Sequence, residues 1–207
     1  MEKKQLCCDQ IYGVLPYQEI KRLIKNGNLI KEFDEKSIKE SSYEIRVGSY
    51  FDFETKKPEP LSEGEVIGLK ENCFALLGSM EHFNIPKDVT ALMWLRSTYA
   101  RDGWTPWFQG LVDPGYEGKV TIVLHNITSS TRAIWGGDRI CHIRFNRMME
   151  ATEKPYVGKY MGSGGAQPPI KEEKRKAICI KKIIGEPIGS SDEIAKVLEA
   201  IDSGSKY

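Results

Sequence analysis

The chain has 207 residues, in which 30 Lys and Arg nearly balance 29 Asp and Glu. That length suits one substantial domain with extensions, and the near-neutral balance excludes the global basic field that drives nonspecific nucleic-acid binding. No apolar run approaches the roughly 20 residues needed to cross a bilayer. Five cysteines without CxxC spacing, after an opening MEKKQLCC in place of a secretory signal, point to a reduced, cytoplasmic protein with no membrane or nucleic-acid partner.

Residues 1–14 carry weak periodicity and the vicinal pair Cys7-Cys8, and read as an N-terminal extension. Pro16 then opens LPYQEIKRLIKNG, where Ile20, Leu23 and Ile24 share one face and Gly27 suits a C-terminal cap, so a short amphipathic helix is expected. From Ser41 to Leu95 the pattern turns to short β-branched and aromatic runs, SYEIRVG, YFDFE, EVIGL, CFALL and TALMWL, punctuated by Lys-Pro, Ser-Glu-Gly and Ile-Pro-Lys-Asp. Strands at this spacing predict an all-β sandwich, jelly roll or barrel. KVTIVLHN (119–126) and RICHIRF (139–145) are the most strand-like segments, with a short strand and a Gly136-Gly137 turn between them. GKYMGSGGAQPP (158–169) has few side chains to bury, a composition that fits a flexible linker. A further strand is expected at AICIKKII (177–184) and a terminal helix after Ser191, with Ile194, Val197, Leu198 and Ile201 on one face.

The segment from Trp94 to Asn126 holds the chemistry-bearing residues. Arg96-Ser97-Thr98 with Arg101 offers guanidinium groups and hydroxyls, which suit the several negative charges of a triphosphate. A turn with two surface arginines is the plainer reading of the same residues. Asp113-Pro114-Gly115-Tyr116-Glu117-Gly118 has the composition of a tight bend that presents a carboxylate. A carboxylate so placed can act as general base toward water. Tyr116 can equally be an aromatic that fills core. The zinc-deaminase signature, a GxxxxGK[ST] loop and a GxGxxG fingerprint are all absent from the sequence. His82, His125, His142 and the cysteines have no recognisable metal-ligand spacing, so no protein-held metal is expected.

Five stretches in order, SSYEIRVG (41–48), FALLGSMEHFNIPKDVTALMWLRSTYAR (74–101), GLVDPGYEGKVTIVLHN (110–126), GGDRICHIRF (136–145) and PYVGKYMGSGGAQPP (155–169), resemble the superfamily of dCTP deaminases and trimeric dUTPases. The resemblance implies a distorted jelly-roll of β-strands with short N- and C-terminal helices. It also implies a homotrimer with interfacial sites that bind a deoxypyrimidine triphosphate and Mg²⁺, the ion being carried by the phosphates. It spans a dUTPase-like β domain (15–157) and a glycine-rich phosphate lid (158–169), which leaves the N-terminal extension (1–14) and the C-terminal strand and helix (170–207) to the reading from pattern alone. Arg96, Ser97, Thr98 and Arg101, with Gly162, Ser163, Gly164 and Gly165 of the lid, fall on the triphosphate-binding positions. Gly110, Leu111 and Tyr116 fall on the sugar and base positions, and Asp113 on that of the water-orienting carboxylate.

Several positions depart from the family pattern. Leu95 stands where the deaminases have glycine, Glu44 for an aspartate, His142 for a glutamine, and Met161 and Ala166 for an arginine and a phenylalanine of the dUTPase tail. Ten residues after Asp113 the deaminases carry a glutamate that activates water, and here that position is Val123, with no Asp or Glu between Glu117 and Asp138. A positioned acid or base is worth about 10² to 10⁴ in rate. The expected function is therefore a dUTPase-like, Mg²⁺-dependent hydrolase that converts dUTP, with dCTP as a second candidate, to monophosphate and pyrophosphate with Asp113 as catalytic base. The alternatives are a dCTP deaminase working by an altered mechanism, with His125 as the local proton carrier, and a deoxynucleotide-binding regulatory protein without catalysis.

Overall fold

The computed structural model describes residues 12–106 and 110–170. The chain divides into two units, Met1–Pro168 and Pro169–Tyr207, and every helix and strand named below belongs to the first. The expected strand at 177–184, the terminal helix and most of the N-terminal extension lie outside the described residues. After β1 (Gly13–Val14), Pro16 stands at the N-cap of α1 (Tyr17–Lys25), where its fixed φ suits helix entry. Ile20, Leu23 and Ile24 are buried as the periodicity predicts, each burial worth roughly 1.5–3 kcal/mol. The helix ends where the Asn28 N–H donates to the Leu23 carbonyl and the Gly27 N–H to that of Ile24. This reverse turn needs a left-handed residue, and Gly27 supplies it at φ +73°.

Strands β2 (Ile30–Lys31), β3 (Tyr43–Asp52), β4 (Lys57–Pro60), β5 (Val66–Leu69), β6 (Phe74–Ser79), β7 (His82–Asn84) and β8 (Val89–Leu95) come next, with a 3₁₀ turn at Glu35–Ser37. They are followed by α2 (Ser97–Arg101), β9 (Trp104–Pro106), β10 (Leu111–Val112), β11 (Glu117–Gly118), β12 (Thr121–Asn126), β13 (Arg132–Trp135) and β14 (Arg139–Arg147). The main sheet runs β10-β8-β14-β3-β6-β12-β9, with β1 on β14 and β4 on β3; β11-β7-β2 and β13-β5 form two smaller sheets. The all-β, curled-sheet expectation is met. SYEIRVG and YFDFE, read as two strands, are one: β3 pairs with β14 through its first half and with β6 and β4 through its second, with a register shift between Val47 and Ser49. That shift bends the sheet. The Lys-Pro punctuation hides β4, which among the described residues pairs only with β3, an edge position where Pro58 and Pro60 are tolerated.

The core is built from the inward sides of β3, β8, β12 and β14 with α1 packed on it; Tyr43, Phe83 and Phe145 are fully buried. Two buried polar groups that the sequence pattern does not flag find their partners across the fold. Glu81, 0% exposed, accepts from the Tyr43 hydroxyl (3.0 Å), the Arg46 backbone N–H (3.0 Å) and Arg46 Nε (2.7 Å). Asn126 donates from Nδ2 to the carbonyls of Leu69, Lys70 and Ser130 and accepts from the Thr128 N–H, tying the end of β12 to two loops. Among the described residues no helix is long and apolar enough to cross a membrane.

A candidate active site in two parts

The Arg96 segment grows out of the end of β8. Leu95 turns its side chain into the core, so the bulk that replaces a glycine there points away from any phosphate beside the backbone. Arg96 is extended (φ −65°, ψ 142°), and its carbonyl accepts from the N–H groups of Tyr99 and Ala100 to start α2. Ser97, Thr98 and Arg101 are exposed, while Tyr99 packs against the core and anchors the helix. Burial, then the nearby Asp138 carboxylate, raise the Tyr99 hydroxyl well above its ordinary range.

Arg96 is not a free arm. Its Nε lies 3.0 Å from Glu44 Oε1, and its Nη1 donates to the Arg139 carbonyl at 2.7 Å. Glu44, only 6% exposed, also lies 3.2 Å from Lys39 Nζ. Cross-strand register sets Glu44, His142 and Trp94 in one row over β3, β14 and β8. The His142 ring is tilted on Trp94 at 6.0 Å, and its Nδ1 is 3.3 Å from Ser42 Oγ. Burial lowers the His142 pKa; Glu44 works against this, and Arg96 and Lys39 reinforce it.

The second part is the Asp113 turn. The Tyr116 N–H donates to the Asp113 carbonyl across Pro114 and Gly115, and Gly115 sits at φ +84°. Proline second and a left-handed glycine third are what a type II turn requires. Gly110 is buried and its carbonyl receives the Met93 N–H, whereas Leu111 is 60% exposed. Tyr116 is buried: its ring meets Tyr156 at 5.6 Å, its hydroxyl donates to the Lys119 carbonyl at 2.7 Å, and burial, with the Tyr156 hydroxyl beside it, pushes its pKa up to about 12. The ring serves the core.

One chain keeps these parts separate. β10 pairs with β8 as Leu111↔Leu92 and Val112↔Ala91, which sets Asp113 beside Thr90. Arg96 lies six residues further along the same strand, about 20 Å away at the usual rise of 3.3 Å per residue.

β12 and the glycine-rich segment pack on one another. Thr121, Val123 and His125 share the outward face of β12. Val123 packs on Phe51, Leu76 and Ala166, so apolar contacts surround the position where a deaminase glutamate is expected. The segment 162–167 is packed here and is not a loose linker. Ser163 pairs with Gly118, the Lys119 N–H donates to the Ser163 carbonyl, and the N–H groups of Ala166 and Gln167 donate to Ser49 Oγ and Thr121 Oγ1. Ser163 is buried, and Met161 Sδ accepts from the Glu117 N–H at 3.4 Å. Cys141 of β14 is buried, and burial pushes its thiol up to about 12, which makes it inert. No group of three or more His, Cys, Asp or Glu side chains among the described residues is placed to hold a metal ion. Sequence reading misses the Glu44–Arg96–Lys39 cluster, because strand register, not spacing, brings Glu44 to Arg96.

A family model described as "dCTP deaminase-like" matches residues 14–148. The dCTP deaminase of Thermococcus sibiricus is 33% identical over 150 residues, covering 72% of this chain and 92% of that one. The "dCTP deaminase, dUMP-forming" of Sulfurihydrogenibium is 32% identical over 170 residues, covering 73% and 93%. The solved 2'-deoxycytidine 5'-triphosphate deaminase of Agrobacterium tumefaciens shares the fold at 19% identity, with a TM-score of 0.58 over 67% of this chain and 49% of that one. These relatives overturn the dUTPase-like hydrolase expectation. The residues that suggested it have structural reasons of their own, since Pro114 and Gly115 answer to the turn and Tyr116 to the core. The family match takes in the Arg96 segment, the Asp113 turn and Val123 together, and the chain belongs to the dCTP deaminase-like family.

Proposed function

We propose that this chain acts on dCTP as a deaminase, adding water at C4 of the cytosine and releasing ammonia to leave dUTP. The 33% identity to a dCTP deaminase over 150 residues carries the reading. Arg96, Ser97, Thr98 and Arg101 bind the triphosphate, aided by the backbone N–H groups of Gly164 and Gly165, those of Gly162 and Ser163 being committed to the Glu117 and Tyr160 carbonyls, and Asp113 lies at the sugar. Mg²⁺ arrives on the nucleotide's own phosphates. The separation of Arg96 from Asp113 along β8 favours a homotrimer in which one copy's Arg96 end meets another's Asp113 end. Proton transfer falls to a group other than residue 123, since valine cannot titrate. His125, on the same face of β12 two residues on, is the candidate proton carrier. Incubation with dCTP is expected to yield a uracil nucleotide and ammonia, and His125→Ala to abolish the yield; no deamination at any pH between about 5 and 8 would sink the reading. A second reading, a protein that binds dCTP without turnover, is favoured by the apolar packing around Val123. Tight dCTP binding with no ammonia released would select it.

A further inference from the structure

We propose that Glu44 is a positioning residue, whose buried carboxylate holds the Arg96 guanidinium in the orientation that receives the triphosphate. This rests on the reading that Arg96 binds phosphate. A carboxylate only 6% exposed needs compensating charge, and Arg96 at 3.0 Å and Lys39 at 3.2 Å supply it. The Arg139 carbonyl holds Nη1 from a second direction. A guanidinium tethered by an ion pair and a hydrogen bond loses little rotamer freedom when an anion arrives, which is how preorganisation raises affinity. The tether itself is stiff, because Glu44 sits inside β3 and the Arg96 N–H is bonded to the Ile140 carbonyl of β14. His142 stands between the strands that bear the pair, and its depressed pKa leaves it neutral, so it does not compete for the carboxylate.

The experiment measures dCTP and deoxycytidine binding to the full chain with Mg²⁺ present, for wild type, Glu44→Gln, Arg96→Ala and the double variant. Glu44→Gln is expected to weaken dCTP binding about tenfold, the size of one misplaced charged hydrogen bond, and to leave deoxycytidine binding unchanged. In the Arg96→Ala background the same substitution is expected to have no further effect. Undiminished dCTP binding by Arg96→Ala would overturn the phosphate reading itself. A tenfold loss in Arg96→Ala with none in Glu44→Gln, or equal losses from Glu44→Gln in both backgrounds, would overturn the positioning role alone. Should Glu44→Gln fail to fold, Glu44→Asp keeps the charge but retracts it from Arg96. Its dCTP affinity is expected between those of wild type and Arg96→Ala, and affinity within twofold of wild type would reject the proposal.

Discussion

Val123 lies on the outward face of β12 among Phe51, Leu76 and Ala166, and Val123→Glu restores a titratable group there. Its carboxyl would be partly desolvated and its pKa raised toward neutrality, the range in which a carboxylate works as base and acid. Ammonia release from dCTP is expected to rise about 10²-fold or more in this variant, and an unchanged rate would show that residue 123 does not face the base. Glu81 has the opposite character. Its carboxylate is fully buried with Arg46 and Tyr43, so Glu81→Ala strands a partly buried guanidinium and should lower stability by about 3–5 kcal/mol, read as the denaturation midpoint. His142 adds a dependence on pH. Its folded pKa lies below the unfolded one, chiefly through burial, so the unfolded chain takes up the proton more readily as pH falls below about 6.5. Stability is expected to decline there, and His142→Asn to flatten the decline in midpoint between about pH 7 and 5. Val123 is legible in sequence because a family pattern frames it. Glu81 is not, since its partners lie about 35 residues away and only strand pairing makes them neighbours.

Elements decide how much of the surface is committed. Gly78 on β6 faces the glycine-rich segment so closely that a Cβ would stand 2.2 Å from Ser49 Oγ and 2.4 Å from the Ala166 nitrogen. Gly78→Ala is therefore expected to detach residues 163–167 while β6 and β12 stay paired. Faster amide exchange confined to that segment and the adjoining Lys119–Thr121 edge would confirm it, and unchanged protection there would refute it. Strand existence is readable from alternation at β8, β12 and β14, and the cap at Gly27 from its residue type. β4 is not, because its prolines imitate a loop and only the edge position excuses them. The glycine-rich segment is equally opaque: its own side chains bury little, and what holds it comes from Ser49 and Thr121, far away in sequence.

On the scale of the whole molecule, one part of the candidate site, the Asp113 turn, lies beside the start of β8, and the other, Arg96, follows its end. Mixing Arg96→Ala chains with Asp113→Asn chains should then regenerate complete sites in reassembled trimers, about one quarter of the total if copies combine at random. Each variant alone should bind dCTP poorly. Failure of the mixture to recover binding, at a mass near three times 23.5 kDa, would place both halves in a single copy. Sequence motifs reveal that both halves exist; their distance follows only from the β8–β10 register.

That register also sets a rule for dilution. Hydrogen-bonded backbone sets Asp113 beside the start of β8 and Arg96 beyond its end. In the homotrimer proposed above, affinity for nucleotide is expected to depend on protein concentration. Dilution below that assembly's dissociation constant is expected to lower specific activity more steeply than the amount of protein, and a specific activity unchanged on dilution would refute the shared site.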